Sequence, residues 1–210
     1  MFPHVITDPL PRSAAKRRQY EASDARLDLP LPLPPAQALR DAARALESAL
    51  VAVAAAPAGT VASPGAGERR AVKRAAEQLL AVLAEHYGVP RPDLSVLGAR
   101  PRRVVREQYS WELFGDYTPD TQKMRVWMRT AVLGKVTSYR GLLNTLLHEF
   151  CHHLDVRALG WPESPHTRGF FTRIDGLYHL ALDTPPDRRR PLHWIKQGPS
   201  WRIDWRRLRG

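Results

Sequence analysis

The spacing of apolar residues predicts one helix followed by short strands in the part of the chain where a globular pattern begins. Within residues 69–87 the apolar positions recur at helical intervals, and Gly88 is a typical stop signal; these positions are Val72, Ala76, Leu79, Leu80 and Leu83. Further along, apolar Met124, Val126 and Met128 alternate with Arg125, Trp127 and Arg129, which is the period of a half-buried strand. Other short strands are expected over residues 94–97, 102–106 and 109–117.

Two more helices are predicted in the second half of the chain. The first covers residues 138–158 and ends before Gly160 and Pro162. The second begins near Thr167 and runs to about Leu182. The order helix, strands, helix, helix predicts an α+β fold in which a small antiparallel or mixed sheet packs on helices.

Composition divides the chain into an N-terminal extension (1–67), a globular domain (68–183) and a C-terminal tail (184–210). The extension is rich in Pro and Ala, and residues 1–35 are expected to be disordered because their prolines oppose helix formation. Residues 36–56 are expected to form one helix, and residues 57–67 (PAGTVASPGAG) a flexible linker.

The predicted helix over residues 138–158 carries a sequence motif that is typical of metal-binding sites. It contains His148, Glu149 and His152 in the order H-E-x-x-H. Residues four apart lie one above the other on a helix, so both imidazoles can bind one ion with Glu149 beside it. Because only three of the five positions are fixed, the pattern also occurs by chance in amphipathic helices with surface histidines.

A helical projection favours the metal site over chance. With His148 at 0°, His152 falls at about 40°, Asp155 at about 340° and Glu149 on the flank at about 100°. The apolar residues occupy the opposite side, between about 160° and 260°; they are Leu143, Leu146, Leu147, Phe150 and Leu154. The apolar stripe therefore faces the core and the two histidines face away from it.

Catalytic zinc usually has three protein ligands and one open position, so a third ligand is needed. Six residues after His152, at the metzincin spacing, the chain has Ala158, which cannot bind metal. His166 is the preferred candidate because it lies just before the next helix, and the loop 160–165 lets the chain turn back. The alternatives are Glu163, Asp175 and His179.

The segments HEFCHHLD (148–155) and SPHTRGFF (164–171) resemble the SprT-like family of zincin metallopeptidases. That family has H-E-x-x-H on one helix and a third histidine ligand a short loop later. Residues 124–128 and 115–119 are also similar to the strands before the family's motif helix. The resemblance covers about residues 69–182 and implies a zincin-like minimal metallopeptidase domain. It does not extend to a C-terminal zinc ribbon, for which the chain lacks cysteines, and it leaves residues 1–68 unexplained.

The motif and the resemblance together predict a zinc-dependent endopeptidase with one Zn²⁺ per chain, bound by His148, His152 and His166. The metal would activate a water and polarise the scissile carbonyl, with Glu149 as the general base. The expected substrate is a protein or peptide added as a strand along a sheet edge, for which residues 124–129 are the candidate. The opposing interpretation is that residues 124–129 are an ordinary buried strand. The sequence does not assign an oxyanion donor, although Tyr178 and Arg168 are possible ones.

Three neighbours of the motif have roles that the projection leaves partly open. Asp155 is expected either to accept a hydrogen bond from a ligand imidazole or to act as a cap or pair with Arg157 or Arg168. His153 points away from the predicted metal and is expected to be a packing or surface residue. Cys151 is expected to be a small packing residue.

The formal net charge of +11 is concentrated toward the C-terminus, where residues 182–210 carry 8 basic and 3 acidic side chains. The tail interleaves aromatic and basic residues, which predicts nucleic-acid binding by phosphate neutralisation and base stacking; they are Trp194, Trp201 and Trp205 with Arg202, Arg206, Arg207 and Arg209. The opposing interpretation is that the tryptophans dock on the domain and the arginines are solvated. Because SprT-type relatives include DNA-associated proteases, DNA-associated proteins are possible substrates. The alternative function is a nucleic-acid-binding protein with a structural or vestigial metal site, which leaves Glu149 without a role.

Cysteine content and hydropathy indicate the cellular compartment that we expect for the protein. Cys151 is the single cysteine, which excludes an intrachain disulfide and suits a reducing compartment. The N-terminus lacks the apolar core of a signal peptide. The longest apolar stretch, residues 49–62, is interrupted by Pro57 and Gly59. We expect a cytoplasmic protein without a membrane partner.

Overall fold

The computed structural model of the chain describes residues 7–30, 32–55, 66–106, 109–190, 192–198, 200–204 and 207. The predicted linker lies outside the described residues as far as residue 65, and so do Trp205, Arg206 and Arg209 of the tail. Among the described residues, no helix has both the length and the apolar character needed to cross a membrane.

The N-terminal part of the chain contains two helices where the sequence predicts one. Helix α2 (Ala36–Ala55) is the predicted helix, but α1 (Ala14–Ala25) lies in the stretch expected to be disordered, so that expectation is wrong for these residues. The nearby prolines stay outside α1, and its Tyr20 and Ser23 are buried. Tertiary packing therefore orders a helix that its weak apolar pattern does not predict.

The predicted helix, strands, helix, helix order is confirmed. Helix α3 (Ala66–His86) precedes the strands, and α4 (Tyr139–Arg157) and α5 (Arg168–Ala181) follow them. Ser138 and Thr167 cap the last two helices, because their hydroxyl oxygens accept hydrogen bonds from the backbone N–H groups of Gly141 and Phe170, each at 3.1 Å.

A three-stranded mixed sheet lies beside these helices, in agreement with the predicted α+β class. Its order is β1 (Asp93–Ala99), β5 (Lys123–Arg129) and β4 (Gly115–Thr118), with β5 parallel to β1 and antiparallel to β4. Met124, Val126 and Met128 are buried, as their alternation predicts. However, β5 is the central strand, so the prediction that it is the free edge for substrate is wrong.

Two hairpins complete the fold. The first pairs β2 (Arg102–Arg106) with β3 (Tyr109–Glu112), and the second pairs β6 (Trp194–Gln197) with β7 (Ser200–Ile203). The single strand predicted over residues 109–117 is therefore two strands, β3 and β4. Between β3 and β4 the chain passes from the two-stranded sheet to the three-stranded sheet. At this point the Phe114 carbonyl accepts a hydrogen bond from the Trp127 N–H at 3.2 Å. A short 3-10 helix, Pro186–Arg188, follows α5.

One hydrophobic core joins helix α2 to the sheet and the motif helix. Fully buried leucines of α2, α3, α4 and α5 belong to the same cluster; examples are Leu39, Leu46, Leu79, Leu143 and Leu177. Helix α4 lies in this core between the sheet and α5, which fixes the direction in which its polar face points.

Candidate metal centre

Helix α4 places two of the predicted ligands by burying the opposite side of the helix. All five apolar residues of the predicted stripe are fully buried, which confirms that interpretation. The face that carries His148 and His152 is turned toward α5 and the loop before it, which bears His166. The structure thus brings together the three histidines that the sequence singles out.

The three imidazoles converge through their Nε2 atoms. These atoms lie 3.1 Å apart between His148 and His166, 3.1 Å between His152 and His166, and 3.2 Å between His148 and His152. Nitrogen ligands about 2.0–2.1 Å from a tetrahedral zinc ion are about 3.3 Å from one another. The cluster therefore fits a single ion, and it is a group of three that could hold one.

Burial favours the neutral form of the two motif imidazoles, His148 and His152, which is the form that binds metal. Burial, reinforced by His166, lowers the pKa of His148 to about 3. Burial and the two other histidines lower the pKa of His152 well below its ordinary value. Phe170 contributes an apolar wall, with its ring centroid 4.5 Å from that of His152.

Glu149 lies against the start of β4. A Cβ atom on Gly115 would lie 2.9 Å from Glu149 Oε1 and 2.6 Å from Thr145 Cγ2, so only glycine permits this approach of strand to helix. Burial, together with the nearby Asp116 carboxylate, raises the pKa of Glu149 to about 8. Glu149 is thus a carboxyl group whose proton can be gained or lost near neutral pH.

A chain of hydrogen bonds supports His152 from behind. Its Nδ1 lies 2.8 Å from Ser164 Oγ, and the Ser164 hydroxyl donates to Asp155 Oδ2 at 3.1 Å. Ser164 has a φ of 35°, an uncommon conformation for a residue other than glycine. With Nε2 of His152 facing the metal position, its Nδ1–H is the donor to Ser164.

Asp155 pairs with Arg173, which neither of the sequence alternatives included. Arg173 Nη2 donates to both carboxylate oxygens, at 2.8 and 3.0 Å, and both side chains are fully buried. Burial raises the pKa of Asp155 to about 6 against the opposing effects of Arg173 and Ser164. The pairing expected with Arg157 or Arg168 is therefore wrong, and Asp155 reaches the ligand imidazole only through Ser164.

Asp8, from the far end of the chain, contacts the third histidine. The backbone N–H of His166 donates to Asp8 Oδ2 at 2.8 Å, and His166 Nδ1 lies 3.3 Å from the same oxygen. The backbone N–H of Asp8 donates to the His166 carbonyl at 2.9 Å. Burial raises the pKa of Asp8, but the hydrogen bonds and charge of His166 outweigh burial and leave it below its usual value. No sequence pattern links positions 8 and 166.

The alternative third ligands have other partners. Glu163 pairs with Lys16 at 2.8 Å, and Asp175 lies 3.3 Å from His179 on α5. Of the possible oxyanion donors, Arg168 stacks 4.5 Å from the Trp201 ring centroid.

His153 and Cys151 are packing residues, as predicted. His153 is fully buried, with Nε2 2.7 Å from the Pro90 carbonyl oxygen and Nδ1 2.8 Å from the Tyr117 hydroxyl. Cys151 is also fully buried, and burial raises the pKa of its thiol.

The described tryptophans of the tail are half-buried against the domain. The Trp194 ring lies 6.3 Å from that of Phe171, and the Trp201 carbonyl accepts a hydrogen bond from Thr7 at 2.6 Å. Arg202, which follows Trp201, is exposed. For these residues the structure agrees with docked tryptophans and solvated arginines.

Comparison of the chain with protein-family models, curated proteins and solved structures finds no match of significance in any of the three.

Proposed function

We propose that this protein is a zinc-dependent endopeptidase with a zincin-like domain, in which His148, His152 and His166 bind one Zn²⁺. The observation that carries the proposal is the convergence of their three Nε2 atoms within 3.2 Å, next to the H-E-x-x-H glutamate on the same helix. The resemblance of the motif segments to the SprT-like family supports the same assignment.

The ligand set favours a catalytic site over a structural one. Structural zinc sites are closed by four protein ligands, mostly cysteine and histidine, whereas catalytic sites have three and leave one position open. The cluster consists of three histidines, and the single cysteine is buried and outside it. Imidazole also binds other transition metals, so the experiment must identify the metal.

Glu149 supplies the proton transfers that peptide hydrolysis requires. A bound zinc ion contributes Lewis-acid activation of water and of the scissile carbonyl. Glu149 accepts a proton from the attacking water and later donates it to the leaving amine. A purely structural site has no use for a buried carboxyl group at this position, which favours an enzyme over a nucleic-acid-binding protein with a vestigial site.

Strand β4 is the sheet edge suited to a peptide substrate. It is one of the two outer strands of the order β1-β5-β4, and its first residue, Gly115, lies against Glu149. A peptide added alongside β4 would present backbone groups next to the general base with little dependence on its sequence.

The test compares the wild type with Glu149→Gln on an unfolded protein substrate, with and without DNA. We expect zinc content near one per chain in both proteins and loss of cleavage in the variant alone. Glu163→Gln is the matched control, because it removes a carboxylate that the structure pairs with Lys16 outside the cluster. It should retain both zinc and cleavage.

Two results would refute the proposal. One is a wild type and a Glu149→Gln variant that behave alike on every protein substrate. The other is a wild-type chain that contains no transition metal when it is purified without chelators. If the chain binds DNA and zinc but cleaves nothing, the nucleic-acid-binding alternative is the better description.

A further inference from the structure

The segment of residues 7–11 lies between the third histidine and the C-terminal hairpin. Asp8 forms a reciprocal pair of hydrogen bonds with His166, one from each backbone N–H. One residue earlier, the Thr7 hydroxyl donates to the Trp201 carbonyl. This segment is therefore attached on both sides, and the Asp8 carboxylate is held beside the imidazole of His166.

Helix α1 forms further hydrogen bonds with the residues that follow His166. Its Asp24 accepts a hydrogen bond from the Arg168 N–H at 3.1 Å, and its Ser23 hydroxyl lies 2.9 Å from that of Thr167. The Arg26 carbonyl accepts a hydrogen bond from the buried Arg173 at 2.8 Å. The residues that follow His166 are thus covered by α1, and Asp8 lies in the irregular segment that leads into this helix.

The chemistry of imidazole gives this carboxylate a role. A histidine that binds metal through Nε2 carries its remaining proton on Nδ1. In His166 that nitrogen lies 3.3 Å from Asp8 Oδ2. Carboxylates placed in this way fix the tautomer and the ring orientation of ligand histidines, and their loss typically lowers metal affinity 10–100-fold.

We propose that Asp8 is a positioning residue for the metal centre, holding His166 in the tautomer and orientation that direct its Nε2 toward His148 and His152. The N-terminal segment thereby becomes part of the site. This inference rests on the metal site of the proposed function, but it does not depend on peptide cleavage.

The test measures zinc affinity of the full chain by competition with a chromophoric chelator. Asp8→Asn removes the charge with little change in size, and we expect its affinity to fall by about 10–100-fold. Asp24→Asn is the matched control, since it removes a carboxylate that also binds the start of α5 but contacts no ligand ring. Its zinc affinity should remain within about threefold of the wild type, which is the scatter expected of a remote change.

A spectroscopic measurement on the wild type keeps the proposal testable if Asp8→Asn does not fold. In the zinc-loaded chain, NMR should detect the His166 Nδ1 proton as a downfield, slowly exchanging resonance. The proposal is overturned if that proton exchanges rapidly, or if Asp8→Asn binds zinc as tightly as Asp24→Asn. A wild type without zinc affinity refutes the proposed function itself, and cleavage activity plays no part in this comparison.

Discussion

Gly169 is the position at which the docking of α1 can be tested with a single methyl group. It lies in the first turn of α5, against the C-terminal end of α1. A Cβ atom at this position would overlap the Ser23 carbonyl oxygen and lie 2.5 Å from the Arg26 carbonyl oxygen. Both obstacles are backbone atoms, so Gly169→Ala cannot be accommodated by a side-chain rotation.

The magnitude follows from the distance that α1 must move. An ordinary C···O contact is about 3.3 Å, so relieving the contact with the Arg26 carbonyl oxygen alone requires α1 to retreat from α5 by about 0.8 Å, and the overlap with the Ser23 carbonyl oxygen requires more. A retreat of this size breaks or weakens the hydrogen bonds from buried Arg173 to the Ser23 and Arg26 carbonyls, now 3.3 and 2.8 Å long. Overpacking costs about 1–3 kcal/mol, and each bond to a charged group contributes about 1.5–3 kcal/mol. We expect a net destabilisation of about 2–4 kcal/mol after partial relaxation.

Gly176 provides the matched control on the same helix. A Cβ atom there meets only Leu29, at 3.4 and 3.7 Å, which is ordinary contact with a flexible side chain. Because alanine is the better helix former, Gly176→Ala should stabilise the protein by up to about 1 kcal/mol. Thermal unfolding of the metal-free proteins should place Gly169→Ala about 10 °C below the wild type and Gly176→Ala about 2 °C above it.

The two substitutions are expected to shift the unfolding temperature in opposite directions, so the comparison tests the contact between α1 and α5. If Gly169→Ala unfolds at or above the wild-type temperature, α1 does not pack on α5 as described, and the anchoring of Asp8 by α1 fails with it. If Gly176→Ala destabilises the protein as strongly as Gly169→Ala, the effect belongs to α5 in general and not to its contact with α1.

Two further substitutions distinguish residues that affect zinc affinity from residues that affect only the stability of the fold. Ser164→Ala removes the hydroxyl between His152 and Asp155, so zinc affinity, measured by chelator competition, should fall about tenfold; an unchanged affinity would show that the bridge is dispensable. Tyr117→Phe leaves Nδ1 of buried His153 without its donor, so the free energy of unfolding in denaturant should fall by about 1–2 kcal/mol with zinc affinity unchanged. A loss of zinc in Tyr117→Phe would contradict the assignment of His153 to packing.

The sequence predicts the features that depend on short-range spacing. The apolar stripe of α4 turns His148 and His152 away from the core, because a helix relates residues three and four apart whatever surrounds it. The same reasoning gives the burial of Met124, Val126 and Met128 in β5. The proximity of His166 to the two motif histidines follows in the same way, since a short loop can return the chain only to the neighbourhood it has just left.

The long-range partners of the site could not be predicted in this way. Asp8 is 158 positions from His166, and Arg173 is 18 positions from Asp155 on a different helix. The central place of β5 also depends on which strands pair with it, a choice that alternation alone does not make. Local patterns fix which side of each element is buried, but they do not select the element packed against it.

The sequence by itself therefore determined the helix that carries H-E-x-x-H and the direction of its polar face. Only the tertiary structure decided that Asp8 and helix α1 lie behind His166, and that Arg173 joins α1 to Asp155. The reason is physical: hydrogen bonds between groups far apart in the chain form only after the shared hydrophobic core has brought their elements together.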